Sequence, residues 1–176
     1  MNAIMKPPTI VEPGAFANDL ALKDVYLHPG QMYVSTEPVQ ISMILGSCAG
    51  VCIYDRGRSI GGATHYILPT WDGSGERSPR YGDVAIEVLF EQMRALGSAP
   101  SDLEARVFGG ACMFQVLRGP GGTDDHIGSR NIDVAIRALA GFQIAVVVRD
   151  TGGENGRKLK MRSDTGEVTV SVIRNS

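Results

Sequence analysis

The sequence predicts an α/β domain of the α+β kind, a layered β-sandwich with flanking helices. Several short segments have the apolar period of a strand, and two longer segments have the period of a helix. Their order lacks the regular strand–helix alternation of a Rossmann sheet. The chain has 176 residues, 43% of them hydrophobic and 20% charged. This is enough for one domain with its own core.

The clearest strand is Val39–Leu45, where apolar residues occupy every second position. This period-two alternation predicts a strand with one buried face, and it places Ser42 on the opposite face. A short apolar run at 49–54 fits either a buried strand or the start of a buried helix. Further strands are predicted at 61–68, 105–108, 144–149, 159–162 and 168–173.

The two helices are predicted from apolar residues at helical spacing and from their end signals. The first begins with Asp83 as its N-cap and ends before Gly97, which suits the C′ position. The second begins with Ser129 as its cap and ends at Gly141. The glycine-rich stretch 70–82 is predicted to be a surface loop.

The first 30 residues are predicted to form an irregular N-terminal segment, and residues 31–176 the main domain. Prolines interrupt the early segment, with one short helix possible around 19–23. The N-terminus lacks the apolar run of a secretory signal, and no stretch approaches the roughly 18 apolar residues of a membrane helix. We therefore expect a cytoplasmic protein.

Charge and cysteine content exclude several function classes. The net charge is −2 and the pI is near 5.9, so nothing favours capture of nucleic acid or of an anionic membrane. Three cysteines, an odd number, favour free thiols over a disulfide framework. Cys48 and Cys52 lie four residues apart, and Cys112 is distant with no histidine nearby, so the spacing does not fit a zinc site. We expect no metal and no cofactor.

Cys48 is the candidate nucleophile. It follows Gly46 and Ser47 directly after a strand, where a turn can aim consecutive backbone N–H groups into one small space and form an oxyanion hole. A working cysteine also needs a partner that takes its proton, and histidine is the usual one. The competing interpretation is that Cys48 is a small buried hydrophobe.

Three histidines could be that partner. His28 precedes a proline in the irregular segment, and His126 lies in a polar loop. Only His65 falls within a predicted strand, where its position would be rigid. A single histidine on a strand is more often a structural residue, so from the residues alone the catalytic and structural interpretations of Cys48 and His65 both stay open.

Six blocks of sequence resemble the successive blocks of the CheD family, in the family's order and over roughly residues 38–173. They read LGSCAGVCIYD (45–55), GGATHYILP (61–69), RYGDVAI (80–86), FGGACMF (108–114), IGSRNI (127–132) and DTGGENGRK (150–158). The resemblance implies that residues 31–176 are a CheD-like catalytic domain with a fold similar to the catalytic domain of bacterial deamidating toxins.

The resemblance also implies roles for individual residues. Cys48 matches the family's nucleophile and His65 its general base. The family's histidine-orienting threonine lies six residues before the cysteine, a position that Ser42 occupies here; serine keeps the hydroxyl but lacks the methyl group that fixes the rotamer. Backbone N–H groups of the turn, at Gly46, Ser47 and Cys48, are the candidates for stabilising the oxyanion.

The function implied by the resemblance is deamidation of chemoreceptor glutamines to glutamates through a thioester. The substrate would be the cytoplasmic helical bundle of the receptor, and hydrolysis of glutamate methyl esters is a related activity of the family. The alternative is a non-catalytic regulatory protein that binds a CheC-type phosphatase, the family's known partner. A third interpretation is a general Cys–His hydrolase of small amides.

Other motifs have plainer interpretations. Cys52 and Cys112 are expected to pack in the core, and FGGACMF to provide close backbone packing or a turn. Arg130 and Asn131 could bond loop carbonyls or a partner, and a structural role is favoured. The run 124–126 (Asp-Asp-His) is expected to be solvated. The loop at 70–82 could equally contact a receptor or simply connect two elements.

Overall fold

The computed structural model describes residues 10–11, 22–113 and 125–174. The strands are β1 Ile10–Val11, β2 Lys23–Tyr26, β3 Gln31–Ser35, β4 Val39–Leu45, β5 Ala49–Asp55, β6 Ile60–Tyr66, β7 Leu103–Gly109, β8 Ala145–Thr151, β9 Gly156–Arg162 and β10 Val168–Ile173. The helices are α1 Gly82–Ala95 and α2 Ile127–Gly141.

The strands form two five-stranded sheets that pack face to face. The first sheet has the order β1-β10-β9-β4-β2 and the second the order β3-β6-β5-β7-β8. Helices α1 and α2 pack on the second sheet, on the face turned away from the first sheet. The arrangement has three layers and confirms the predicted sandwich with flanking helices. In the described ranges no helix is long and apolar enough to cross a membrane.

Two apolar cores separate these layers. One lies between the sheets, with Ile41, Met43 and Leu159 among its fully buried members. The other lies between the second sheet and the helices and contains Leu89 and Leu139. Every residue of β5 and β6 is buried, because both faces of the second sheet are covered. A strand covered on both faces has no polar alternation, which explains why the run at 49–54 was ambiguous in sequence.

The predicted irregularity of residues 1–30 is wrong for Lys23–Tyr26, which form strand β2. This strand pairs in parallel with β4 at the edge of the first sheet. Of its four residues only Val25 is partly buried and packs against the inter-sheet core, so the apolar pattern is too short to indicate a strand. The prediction of a short helix around 19–23 is wrong at Lys23, which starts β2. Positions 19–21 lie outside the described residues.

Both helices begin earlier than predicted. The N-cap of α1 is Tyr81, without a side-chain cap bond, and the Asp83 carboxylate instead accepts hydrogen bonds from the N–H groups of Trp71 and Val84. Trp71 belongs to the loop before α1, so the Asp83 carboxylate holds that loop to the start of the helix by a hydrogen bond.

The cap of α2 is His126, not Ser129. The Nδ1 atom of His126 accepts hydrogen bonds from the backbone N–H groups of Gly128 and Ser129. The Ser129 hydroxyl occupies the N3 position, where it accepts from the His126 N–H at 3.1 Å. The prediction that the run 124–126 is solvated is therefore wrong at His126, whose ring caps the helix. Position 124 lies outside the described residues.

Both helices end in the same turn, but with different residues at the left-handed C′ position. After α1 this residue is Gly97 with φ +96°, and the N–H groups of Gly97 and Ser98 bond the carbonyls of Arg94 and Met93. After α2 it is the exposed Gln143 with φ +60°. Left-handed backbone costs a residue with a side chain about 1–2 kcal/mol, so α2 ends in a strained turn.

Replacing Gln143 by glycine should therefore stabilise the protein. We expect Gln143→Gly to raise the free energy of unfolding by about 1 kcal/mol, because the strain exceeds the added entropy of the unfolded chain. Urea denaturation measures the change. Gly97→Ala is the reciprocal control and should lower the same quantity; a loss of stability in Gln143→Gly would contradict this account.

Candidate active site

Cys48 lies in the turn between β4 and β5, and that turn is held through its own carbonyl groups. The Ala111 N–H donates to the Gly46 carbonyl at 2.9 Å, and the Gly110 N–H donates to the Cys48 carbonyl at 2.8 Å. Both donors come from the segment after β7. The Cys48 side chain is half-buried and packs against the core between the sheets.

This close approach of two backbones requires glycine. Gly109 and Gly110 have φ values of +99° and +67°. A Cβ on Gly109 would stand 2.3 Å from the Cys48 carbonyl oxygen, and one on Gly110 would stand 2.7 Å from the Gly128 carbonyl oxygen at the start of α2. The prediction that FGGACMF provides close backbone packing is confirmed for its described residues; position 114 lies outside them.

His65 and Cys48 both face the layer between the sheets. His65 pairs with Gly50 in the antiparallel β5–β6 ladder, and Cys48 precedes Gly50 by two positions. Cys48 lies in the bend before β5, and its side chain packs against the core between the sheets. Ala63 belongs to the same core, and His65, two residues further along β6, lies on the same face of that strand. Strand register thus brings the predicted nucleophile and base together in the layer between the sheets.

The hydrogen bonding of His65 defines its reactive nitrogen. The Nδ1 atom lies 3.0 Å from the backbone carbonyl oxygen of Leu27. A carbonyl can only accept, so Nδ1 carries the proton and Nε2 has a free lone pair. Nε2 is buried and has no hydrogen-bond partner within the described part of the chain. A bare, buried nitrogen of this kind suits a general base.

The position of Leu27 is itself fixed by the first sheet. The Leu27 N–H donates to the Ser42 carbonyl at 2.8 Å. Three residues later, the Gly30 N–H donates to the His65 carbonyl at 2.7 Å. The chain after β2 therefore wraps around the histidine. Sequence reasoning missed Leu27, because a backbone carbonyl is common to every residue and leaves no signal.

The predicted role of the Ser42 side chain is corrected by this geometry. Ser42 is buried on the face of β4 opposite the inter-sheet core, and its hydroxyl donates to the Asp24 carboxylate at 3.3 Å. The histidine has Leu27 as its Nδ1 partner instead. Ser42 contributes to the site through its carbonyl, which any residue at this position would supply.

Burial opposes charge on both reacting groups. Burial raises the pKa of the Cys48 thiol, and the residue's own backbone N–H works against that rise. Burial lowers the pKa of His65; the Leu27 hydrogen bond opposes this shift, and the charge of His28 adds to it. Burial thus favours a neutral Cys48 thiol and a neutral His65 imidazole.

The backbone of the turn offers donors for an oxyanion. Within the described residues, the N–H groups of Ser47 and Cys48 donate to no backbone carbonyl in the turns and loops. The same holds for the Gly46 N–H. All three predicted donors therefore stay candidates.

The remaining cysteines lie in the interior. Cys52 is fully buried, and burial raises its pKa to about 12 against the opposing charge of Arg106. Cys112 is buried as well, and all three cysteines are free thiols. In the described ranges no group of three or more His, Cys, Asp or Glu side chains could hold a metal ion.

Comparison with known proteins identifies the family of this chain. The family model described as CheD chemotactic sensory transduction matches residues 67–172. A protein of Sulfurimonas denitrificans named probable chemoreceptor glutamine deamidase CheD is 38% identical over 84% of this chain and 93% of its own length. One of Trichlorobacter lovleyi with the same name is 40% identical over 85% of this chain and 90% of its own length.

Two solved structures share a more distant likeness in fold. The hypothetical protein YfiH of Bacillus licheniformis gives a TM-score of 0.43 at 16% identity, covering 68% of this chain and 49% of its own. A DUF152 protein of Neisseria meningitidis gives 0.44 at 13% identity, covering 76% of this chain and 65% of its own. This chain thus spans about half and about two thirds of their lengths.

The fold is an α+β sandwich in which a cysteine and a histidine both face the layer between the sheets. The sequence matches make the class specific: the chain belongs to the CheD family of chemotactic sensory transduction proteins.

The contact between Gly109 and Cys48 predicts a strong effect of one added methyl group. We expect Gly109→Ala to lower the free energy of unfolding by about 2–5 kcal/mol, from overpacking and left-handed strain together. Gly73→Ala is the matched control, since Gly73 has φ +88° with nothing within 4 Å of an added Cβ. It should cost only about 1–2 kcal/mol. Equal losses in urea denaturation would mean that the close approach to Cys48 is unimportant.

The lowered pKa of His65 predicts a pH dependence of stability. Below the ordinary value of 6.5 the unfolded chain takes up a proton that the folded chain resists, so stability falls as the pH drops from 6.5 towards the folded pKa. We expect His65→Gln to reduce the difference in unfolding free energy between pH 7.5 and pH 5. His28→Gln, at an exposed histidine, should largely keep it. An unchanged difference in His65→Gln would contradict burial of a neutral imidazole.

Proposed function

We propose that this protein is a protein-glutamine deamidase that hydrolyses side-chain amides of glutamines in the cytoplasmic helical bundle of chemoreceptors. The observation that supports this best is the bare, buried Nε2 of His65 in the layer between the sheets, which Cys48 also faces. The substrate follows from the relatives, which are named probable chemoreceptor glutamine deamidases.

The first half of the reaction forms a thioester. The Cys48 sulfur attacks the carboxamide carbon while its proton passes to Nε2 of His65. Backbone N–H groups of the turn stabilise the oxyanion. The carbon–nitrogen bond then breaks, and the imidazolium returns the proton to the departing nitrogen, which leaves as ammonia.

The second half releases glutamate. A water molecule gives a proton to Nε2 and attacks the thioester carbon, the carbon–sulfur bond breaks, and the proton returns to the sulfur. In both halves an imidazolium forms transiently in a buried place. The Leu27 carbonyl, bonded to Nδ1–H, stabilises that charge and keeps the ring from turning.

The same site would accept a glutamate methyl ester. The same acyl carbon is attacked and the same thioester forms; only the leaving group changes, from ammonia to methanol. The net result in either case is a carboxylate on the receptor. A new negative charge on a helical bundle changes helix packing and so biases signalling.

The decisive test measures ammonia release from a purified receptor cytoplasmic fragment, with mass spectrometry to locate glutamine-to-glutamate changes. We expect Cys48→Ala to be inactive and His65→Ala to lose about 10²–10⁴-fold in rate. Cys52→Ala is the matched cysteine control and should keep its activity, because Cys52 packs in the core. Ser42→Ala should stay within about threefold of wild type, because its hydroxyl points to Asp24.

Two outcomes would overturn the proposal. Activity in Cys48→Ala equal to wild type would remove Cys48 as the nucleophile. A wild-type protein without activity on several receptor fragments would favour the alternative of a non-catalytic regulator, whose expected partner is a CheC-type phosphatase.

A further inference from the structure

We propose that Asn131 is a positioning residue of this site, and that its side-chain amide sets the separation between Cys48 and His65. The inference rests on the proposed function and assigns a task within it. Asn131 lies in the first turns of α2 and is fully buried, although it belongs to neither strand that carries the reacting groups.

The amide of Asn131 bridges the two chain segments that meet at the site. Its Nδ2 donates to the Ser47 carbonyl at 3.0 Å and to the Ile67 carbonyl at 3.1 Å. Both partners can only accept, so the orientation of the amide is fixed and both of its protons are used. Ser47 precedes Cys48 directly, and Ile67 follows His65 by two positions.

This bridge lies where the sheet no longer holds the two segments together. The β5–β6 pairing ends at Ala49 and Tyr66, so no ladder contact fixes the chain beyond that pair. The next residues outward on either side include Cys48 and Ile67. The two hydrogen bonds of Asn131 take the place of the missing ladder and tie the nucleophile turn to the strand of the base.

The helix that carries Asn131 is itself held tightly. A Cβ on Gly128 would stand 2.5 Å from the Gly110 carbonyl oxygen, so α2 presses on the same segment that bonds the Cys48 carbonyl. This packing keeps the helix end rigid, so one side chain can fix the turn in position. The Tyr66 hydroxyl donates to the backbone carbonyl of Asn131 at 2.5 Å and takes no part in the two side-chain bonds.

Loss of the amide should affect the chemical step more than substrate binding. Without it the Ser47 and Ile67 carbonyls lose their donor and the turn can shift relative to His65. A displacement of about 1 Å in reacting groups can cost about 10²-fold in rate. Asn131 is buried and cannot touch a protein substrate, so KM has no reason to follow.

The first experiment compares Asn131→Ala with Tyr66→Phe in receptor deamidation, below the melting temperature of both variants. Tyr66→Phe is the matched control, because it removes a buried hydrogen bond to the backbone of the same residue and leaves both side-chain bonds intact. We expect kcat to fall about 10²-fold in Asn131→Ala and less than threefold in Tyr66→Phe, with KM within threefold in both. Equal kcat in the two variants would reduce Asn131 to a structural residue and overturn the inference.

The second experiment does not depend on the receptor. The rate of Cys48 alkylation by iodoacetamide is followed against pH, with peptide mapping to separate Cys48 from the buried cysteines. We expect the rate at pH 7 to fall about tenfold in Asn131→Ala and to stay unchanged in Tyr66→Phe, because only the former separates the thiol from its base. If wild type fails to deamidate receptors, the proposed function fails, and this profile still decides the inference: an unaltered profile in Asn131→Ala overturns it.

Discussion

The hydrogen bond between His65 Nδ1 and the Leu27 carbonyl is the interaction on which the site depends. Leu27 follows the edge strand of the first sheet, whereas His65 lies within the second, so the bond spans the layer between them. It selects the tautomer, holds the ring and leaves Nε2 free. The short parallel pairing of β2 with β4 therefore has a task beyond completing a sheet: it delivers an acceptor to the base.

The burial that builds the sandwich also determines how the pair can react. A charged pair at rest would lose hydration on both members, and burial shifts the pKa values of Cys48 and His65 in the directions that keep them neutral. In the proposed reaction, charge develops only during the attack, and the Leu27 carbonyl already accepts from the Nδ1–H of the imidazole that becomes charged. The unbonded Nε2 is a local cost in stability of the kind that functional sites retain.

The sequence was informative wherever one face of an element is buried and the other is not. Val39–Leu45 and Val168–Ile173 have the predicted bounds, whereas Lys23–Tyr26 was missed because an edge strand of four residues shows too little alternation. Cys48 and His65 could be singled out by residue type and family resemblance. The partner of His65 could not, since only the register of distant strands shows which carbonyl reaches Nδ1.

The site is held mainly by main-chain groups, and this determines where the sequence is constrained. The carbonyls involved belong to Leu27, Gly46, Ser47, Cys48 and Ile67. A main-chain acceptor is the same for any side chain, so the contact with Leu27 does not depend on the side chain at position 42. The constraint falls instead on residues that let backbones meet or that bridge them. Gly109 has no space for a methyl group, and Asn131 needs two donors in one short side chain.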